Sequence, residues 1–276
     1  MISPQNHLVQ LSGNNIMTNK KKFMKAYLPN FFSFKHANDL IRIGKDYDGG
    51  YLVSKLDIEK SDVLIGLGIS DDWSFEEDFL NLKNIEVYAY DASISKKYFF
   101  KKIVRSIIRL DNLKDCSFWL KKFWNYTRFF SQNNVSHIQK FVGLNSESHT
   151  YCKFSEVLNE KNHKNIFLKI DVEGSEYRFL DEILENQDRI TGMVIELHDC
   201  DIHLKKIKWF INKFGLRLVH IHANNYAPIR SDDCLPLVLE LTFSKYAKFS
   251  NSSILPHKLD MPNNKNVSEI KLFVMD

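Results

Sequence analysis

Ile166-Phe-Leu-Lys-Ile-Asp171-Val-Glu173-Gly174-Ser-Glu176 is the stretch on which the fold turns. Its first five residues, apolar except for Lys169, have the length and flanking turn of a buried strand. Strands apolar on both faces belong to sheets covered by helices on each side. Asp171 follows at the carboxyl end, the edge where open α/β sheets place their ligands. Gly174 permits a tight turn, and Ser175 and Glu176 supply a cap and a negative charge for a following helix. Capping accounts for Glu176. It does not account for Lys169, Asp171 and Glu173 as a set.

Outward from this stretch the pattern repeats. Further strand-like runs lie at 63–69, 85–91, 138–143, 192–198, 216–222 and 235–243, with helical patterns at 75–82, 154–159, 175–185 and 202–214. The alternation predicts a doubly wound α/β fold with a mostly parallel sheet of seven strands. No helix is evident between the last two runs, which the polar loop 223–234 joins, so a terminal antiparallel pair is an alternative. Residues 1–35, polar and basic with an aromatic patch at 23–34, read as an N-terminal arm with one helix, and 36–276 as one domain. Residues 96–130 interrupt the alternation with a basic, aromatic segment of helical period. It reads as a helical insertion packed on the sheet; a lid over an anionic substrate and a membrane-surface helix are the sharper alternatives.

Composition narrows the class. The 276 residues are 44% hydrophobic and 26% charged, and their net charge of +4 is too small to argue for nucleic acid. Cys116, Cys152, Cys200 and Cys234 are scattered without a C-x-x-C pair, which favours a reducing compartment. No apolar run is as long as a membrane span, and the first residues lack the apolar block of a secretory signal. A cytoplasmic protein is expected.

Asp62-Val-Leu-Ile-Gly66-Leu-Gly68-Ile-Ser-Asp71 runs a strand into a glycine turn, with Asp71, Asp72 and Ser74 available to cap the next helix. Glycine lets a ligand approach the backbone, and a helix start offers free amide donors. Position 71 is Asp where the dinucleotide pattern G-x-G-x-x-G needs Gly. An acid there repels a pyrophosphate but suits a sulfonium, which argues for S-adenosylmethionine over NAD. Asp91 ends the next strand about 25 residues beyond Gly66, near the spacing of ribose-clasping acids.

Leu168-Lys-Ile-Asp-Val-Glu-Gly-Ser-Glu176 resembles the hallmark of the FkbM-type methyltransferases, and four other blocks agree in order. These are Asp48-Gly-Gly-Tyr51, Gly66-Leu-Gly68 with Ser74-Phe75-Glu76, Glu196-Leu-His198, and His220-Ile-His222-Ala-Asn224-Asn225. The resemblance covers about residues 40–245. It implies a Rossmann-like class I methyltransferase domain over 36–276 that O-methylates a sugar hydroxyl in bacterial polysaccharide or natural-product pathways. The cofactor residues implied by resemblance and pattern together are Asp48, Gly49, Gly50, Gly66, Gly68, Asp71, Ser74, Phe75, Asp91 and Asp171.

His198 lies two residues beyond Glu196 on one strand, and His222 two beyond His220 on the next, so each pair shares a face. Asp171, His198 and His222 at three strand ends form a candidate metal set, whose two imidazoles favour Fe2+ or Mn2+ over Mg2+. Without metal, His198 alone acts as general base, and Asp171, His198 and His222 are assigned to the reacting oxygen. The basic 96–130 segment and Arg230 suit an anionic acceptor, such as a nucleotide-activated sugar. The expected partner is therefore a small molecule, with neither nucleic acid nor a transmembrane segment; oligomeric state is not legible. An NAD-dependent oxidoreductase and a non-catalytic surface-binding protein are the rival readings.

Overall fold

The computed structural model describes residues 24–108, 113–143, 149–159, 162–249 and 254–275. In chain order the strands are β1 (Met24–Leu28), β2 (Leu40–Gly44), β3 (Gly50–Ser54), β4 (Val63–Leu67), β5 (Glu86–Tyr90), β6 (Val135–Ile138), β7 (Phe141–Val142), β8 (Tyr151–Cys152), β9 (Ile166–Ile170), β10 (Ile190–Leu197), β11 (Arg217–Ala223), β12 (Leu239–Ser244) and β13 (Ile270–Val274). The helices are α1 (Lys55–Lys60), α2 (Ser74–Leu82), α3 (Lys96–Ile108), α4 (Leu113–Phe129), α5 (Phe154–Asn159), α6 (Leu180–Glu185) and α7 (Cys200–Lys213).

The central strands are apolar at odd and even positions because each face of the sheet has its own core. Val63, Ile65 and Leu67 of β4, Ile166, Leu168 and Ile170 of β9, and Met193, Ile195 and Leu197 of β10 pack into one cluster. Leu64, Phe167 and Val194 point the other way, into a second cluster with Phe75, Phe79 and Phe99. Seven strands lie in the order β11-β12-β10-β9-β4-β5-β6. All neighbours are parallel except β12, which runs antiparallel to both β10 and β11. The chain winds outward from β4 to β6, then returns beside β4 as β9 and winds the other way. The reversal leaves a crevice at the carboxyl ends of β4 and β9, where such sheets bind ligands.

The expected mostly parallel seven-stranded sheet with flanking helices is present, and the last two main-sheet strands do form an antiparallel pair. Other details differ. The run 138–143 is two elements: β6 joins the main sheet, and β7 pairs with β8 after a break at Lys140, whose N–H donates to Ile138 O. The pattern at 175–185 divides into a 3-10 turn, Glu176–Arg178, and α6. In the described part of the arm, β1 pairs in parallel with β13 and a 3-10 turn follows Pro29; residues 1–23 lie outside the described ones. The insertion is helical, as its period predicts: α3 and α4 bury Phe99, Ile103, Tyr126 and Phe129, while 109–112 lie outside the described residues. Among the described residues no helix is long and apolar enough to cross a membrane.

Candidate active site

The glycine turn forms where three strand ends converge. Gly68 N donates to Tyr90 O of β5 (2.9 Å), and Asp171 N donates to Leu67 O of β4 (2.9 Å). Gly68 has φ +75°, and a Cβ there would fall 1.7 Å from Asp171 O, so only glycine fits. Asp91 ties the turn down: its carboxylate accepts from Ile69 N (3.1 Å), Ser70 N (2.7 Å) and Ser93 N (2.7 Å). Lys169, buried, donates to Gly68 O (2.5 Å) and lowers the pKa of both Glu76 and Asp171, which burial raises. The lysine inside the apolar run is thus the cation that lets two acids lie behind the turn.

A cavity of about 590 Å³ opens over this edge, within the usual size of small-molecule sites. Of the expected cofactor residues, Asp48, Gly49, Gly68, Asp71, Phe75, Asp91 and Asp171 line it, with Lys169, Phe141, Tyr151 and Arg178. Gly50, Gly66 and Ser74 are not on its wall, for local reasons. A Cβ on Gly66 would meet Glu76 Oε1 at 2.5 Å, and one on Gly50 would meet Lys45 O at 2.2 Å in the β2–β3 hairpin. Ser74 starts α2, its N–H donating to Asp72 Oδ1 (3.1 Å). Asp71 does not offer a free charge to a sulfonium either, because Lys122 Nζ is 3.7 Å from its Oδ1 and also donates to its carbonyl.

Beside the cavity stands a polar cluster. Tyr51 OH is 3.2 Å from Glu196 Oε2 and 3.4 Å from Asp171 Oδ2, and Asn224 Nδ2 donates to Glu196 Oε1 (3.0 Å). His198 Nδ1 bonds Glu176 Oε1 at 2.8 Å. Its Nε2 lies 3.4 Å from Glu173 Oε2 and 3.6 Å from Glu196 Oε1. Burial raises the pKa of Glu196, and the neighbouring Asp171 charge raises it further. Burial alone would lower His198, but the Glu176 hydrogen bond and the surrounding carboxylates lift it to about 9. One ligand atom from each of Asp171, Glu196 and His198 lies within 4.8 Å of the others, a set able to hold a metal ion.

His222 is not part of this group. β12 lies between β10 and β11, and Glu240 pairs across it with Glu196 on one side and His222 on the other. Two strand spacings, about 10 Å, therefore separate His222 from Glu196. Its Nδ1 bonds Glu240 Oε2 (2.9 Å) and its Nε2 bonds Glu269 Oε1 (3.2 Å), so neither nitrogen is open to a metal. Arg230 is likewise engaged, bonded through Nε and a terminal nitrogen to Asp233 at 2.9 and 2.6 Å.

Three contributors were visible in the sequence without their role. Glu196 and Tyr51 stand in quoted motifs, but only the register of β10 and the β2–β3 hairpin brings them to Asp171. Glu176, expected as a cap, is wholly buried and orients His198, although its Oε1 also accepts from Gly174 N (3.1 Å). Backbone strain follows the same edge: Ser70, Glu173 and Asp199, just past β4, β9 and β10, have φ of 45°, 52° and 48°.

No protein-family model and no curated protein matches the sequence. Solved structures with some likeness include the precorrin-6y C5,15-methyltransferase from Geobacter metallireducens, at 14% identity and TM-score 0.36, covering 69% of this chain and 87% of that one. The human METTL16 methyltransferase domain shows 11% identity and TM-score 0.40, covering 70% and 64%. A fibrillarin/Nop5p complex shows 10% identity and TM-score 0.36, covering 72% and 87%. The likeness is one of general architecture.

Proposed function

We propose that this chain is an S-adenosylmethionine-dependent O-methyltransferase of the FkbM type, acting on a sugar hydroxyl in a nucleotide-activated sugar or glycan precursor. The observation that carries the reading is the adjacency of two features at one sheet edge. A glycine-floored cavity ends at Asp91 and Asp171, and a carboxylate–tyrosine–histidine cluster begins at Asp171. The cavity suits the cofactor, with Gly68, Phe75 and Asp91 against it and Phe141 and Tyr151 as an apolar wall. The cluster suits the acceptor oxygen. Held in line with the sulfonium in a water-poor pocket, that oxygen needs chiefly positioning and a proton acceptor.

The carboxylates around His198 lift its pKa to about 9, which favours its charged form near neutrality; on this reading the Asp171–Glu196 pair, whose affinity for a proton burial raises, accepts the hydroxyl proton. His198 then balances their charge. A second reading rests on the ligand spacing: Asp171, Glu196 and His198 fit a divalent cation. Two carboxylates and one imidazole suit Mn2+ better than the two-imidazole set that favoured iron. Such an ion lowers the pKa of a bound hydroxyl. Metal analysis of the wild type, Asp171→Ala and His198→Ala separates the readings; an active, metal-free wild type removes the cation.

The proposal as a whole is tested by calorimetry with S-adenosylhomocysteine, then by methyl transfer to nucleotide sugars and to the same sugars without the diphosphate. Binding and faster turnover of the diphosphate forms are expected. Absence of heat at millimolar ligand, or retention of a nicotinamide by the purified protein, overturns it.

A further inference from the structure

α3 and α4 are apolar on two sides. Their inner side packs Phe99, Tyr126 and Phe129 against Trp73 and the second core cluster, and Ile103 is buried as well. That burial already fastens both helices to the domain. Six of the sixteen exposed large hydrophobic residues among the described ones nevertheless stand on these helices: Phe100, Ile107, Ile108, Phe118, Leu120 and Trp124. Phe100, Ile108 and Trp124 are 62%, 72% and 70% exposed, so they contribute little to the core.

The outer row is also charged. Phe100, Lys101, Val104, Arg105 and Ile108 line one shallow groove, and Lys96, Lys97, Phe100, Lys101 and Phe123 line the next. Phe100 and Lys101 belong to both, so the two grooves form one strip of alternating apolar and cationic side chains. Residues 96–130 carry ten basic and two acidic residues, whereas the rest of the chain carries 28 basic and 32 acidic. The net positive charge of the protein is therefore concentrated in this one segment.

We infer that the outer face of α3 and α4 docks on an anionic phospholipid bilayer, lying in the headgroup region. Aromatic and branched aliphatic side chains enter the acyl boundary, and lysines between them meet lipid phosphates. Charge selects this occupant over two others. A second copy joined through the same face would set Lys96, Lys97, Lys101 and Arg105 against the same four cations. A nucleic acid would satisfy the cations and stack on Phe or Trp, but it offers no apolar partner for Val104, Ile107, Ile108 and Leu120. Among the described residues neither helix is long and apolar enough to cross a bilayer, which fits an association at the surface. It does not depend on the reaction proposed above.

The test is flotation of the full chain with phosphatidylcholine vesicles with and without phosphatidylglycerol, at low and high salt. Flotation with the anionic vesicles alone, declining with salt, is expected. Combined Lys101→Ala, Arg105→Ala and Lys121→Ala should weaken it on the order of 100-fold, from about 1 kcal/mol for each surface cation. Combined Phe100→Ser, Ile108→Ser and Trp124→Ser should abolish it with melting temperature unchanged, because these side chains are exposed. Equal flotation on neutral vesicles, binding of single-stranded RNA in place of vesicles, or concentration-dependent self-association lost in the serine variant would each overturn the inference.

Discussion

His198 and His222 occupy like places, at the carboxyl ends of β10 and β11, and the sequence gives no reason to treat them differently. The fold separates them. Both nitrogens of His222 end on carboxylates, Glu240 and Glu269, within the protein interior. His198 has one short bond, to Glu176, and its other nitrogen faces Glu173 and Glu196 at distances longer than a good hydrogen bond. One histidine closes a network; the other leaves it open beside a cavity. The lesson is that a histidine's partners, rather than its position on a strand, decide whether it is available for chemistry.

The largest effect should come from the open cluster. Asp171→Asn preserves shape while removing the charge shared with Glu196, and methyl transfer should fall about 1,000-fold, in the range of lost acid–base catalysis. Its melting temperature should stay close to wild type. Single-turnover transfer together with thermal melting measures both, and an active variant would make the open cluster no more chemical than the closed one.

His222→Ala should do the reverse. Removing one partner of a buried, hydrogen-bonded ion pair costs about 3–5 kcal/mol, while the surviving folded fraction turns over normally. Burial lowers the His222 pKa, but Glu240 and Glu269 raise it well above 6.5 in the fold. Its stabilising contribution is therefore complete below pH 6.5 and fades as pH rises through the folded value. Urea unfolding of wild type and variant across that range should show the gap narrowing in alkali. A constant gap would mean that His222 acts through packing and not through charge.

Asp57 sharpens the contrast from the other side, as a buried carboxylate with no ion pair among the described residues. Burial lifts its pKa from 3.8 to about 7, against the bonds it accepts from Ser244 and Tyr246 N. Between these two values the folded state holds the proton more tightly than the unfolded chain, so stability falls as pH rises across that window. Asp57→Asn should remove the dependence and stabilise the protein above pH 7 on the order of 2 kcal/mol, with little effect at pH 4. Chemical denaturation at the two pH values gives the comparison; equal shifts at both would show Asp57 to be ionised throughout.

What could be read in the sequence follows from what a sequence contains. β4, β9 and β10 are buried on both faces, and continuous apolar runs with turn residues at their ends announce that directly. The glycine turn and Asp171 could be placed because chain order alone puts them at strand ends. Lateral order is a different kind of information. That β12 inserts between β10 and β11 depends on which edges pair, and this one fact carries His222 away from Asp171 and puts Glu240 in between. Tyr51 comes from a hairpin outside the main sheet, and Glu196 is one residue in a run otherwise read for its apolar character. The β1–β13 pair is not legible in the sequence because each strand is short and, among the described residues, pairs with the other alone.

That last pair has a consequence for how the protein is made. Met24–Leu28 finds its partner in Ile270–Val274, about 250 residues later in the chain. During synthesis β1 emerges well before β13, with Ala26 and Leu28, both fully buried in the finished molecule, still uncovered. Contacts so distant in sequence form late. Until β13 is made, β1 is an unpaired strand edge, the kind of segment that can pair with other chains.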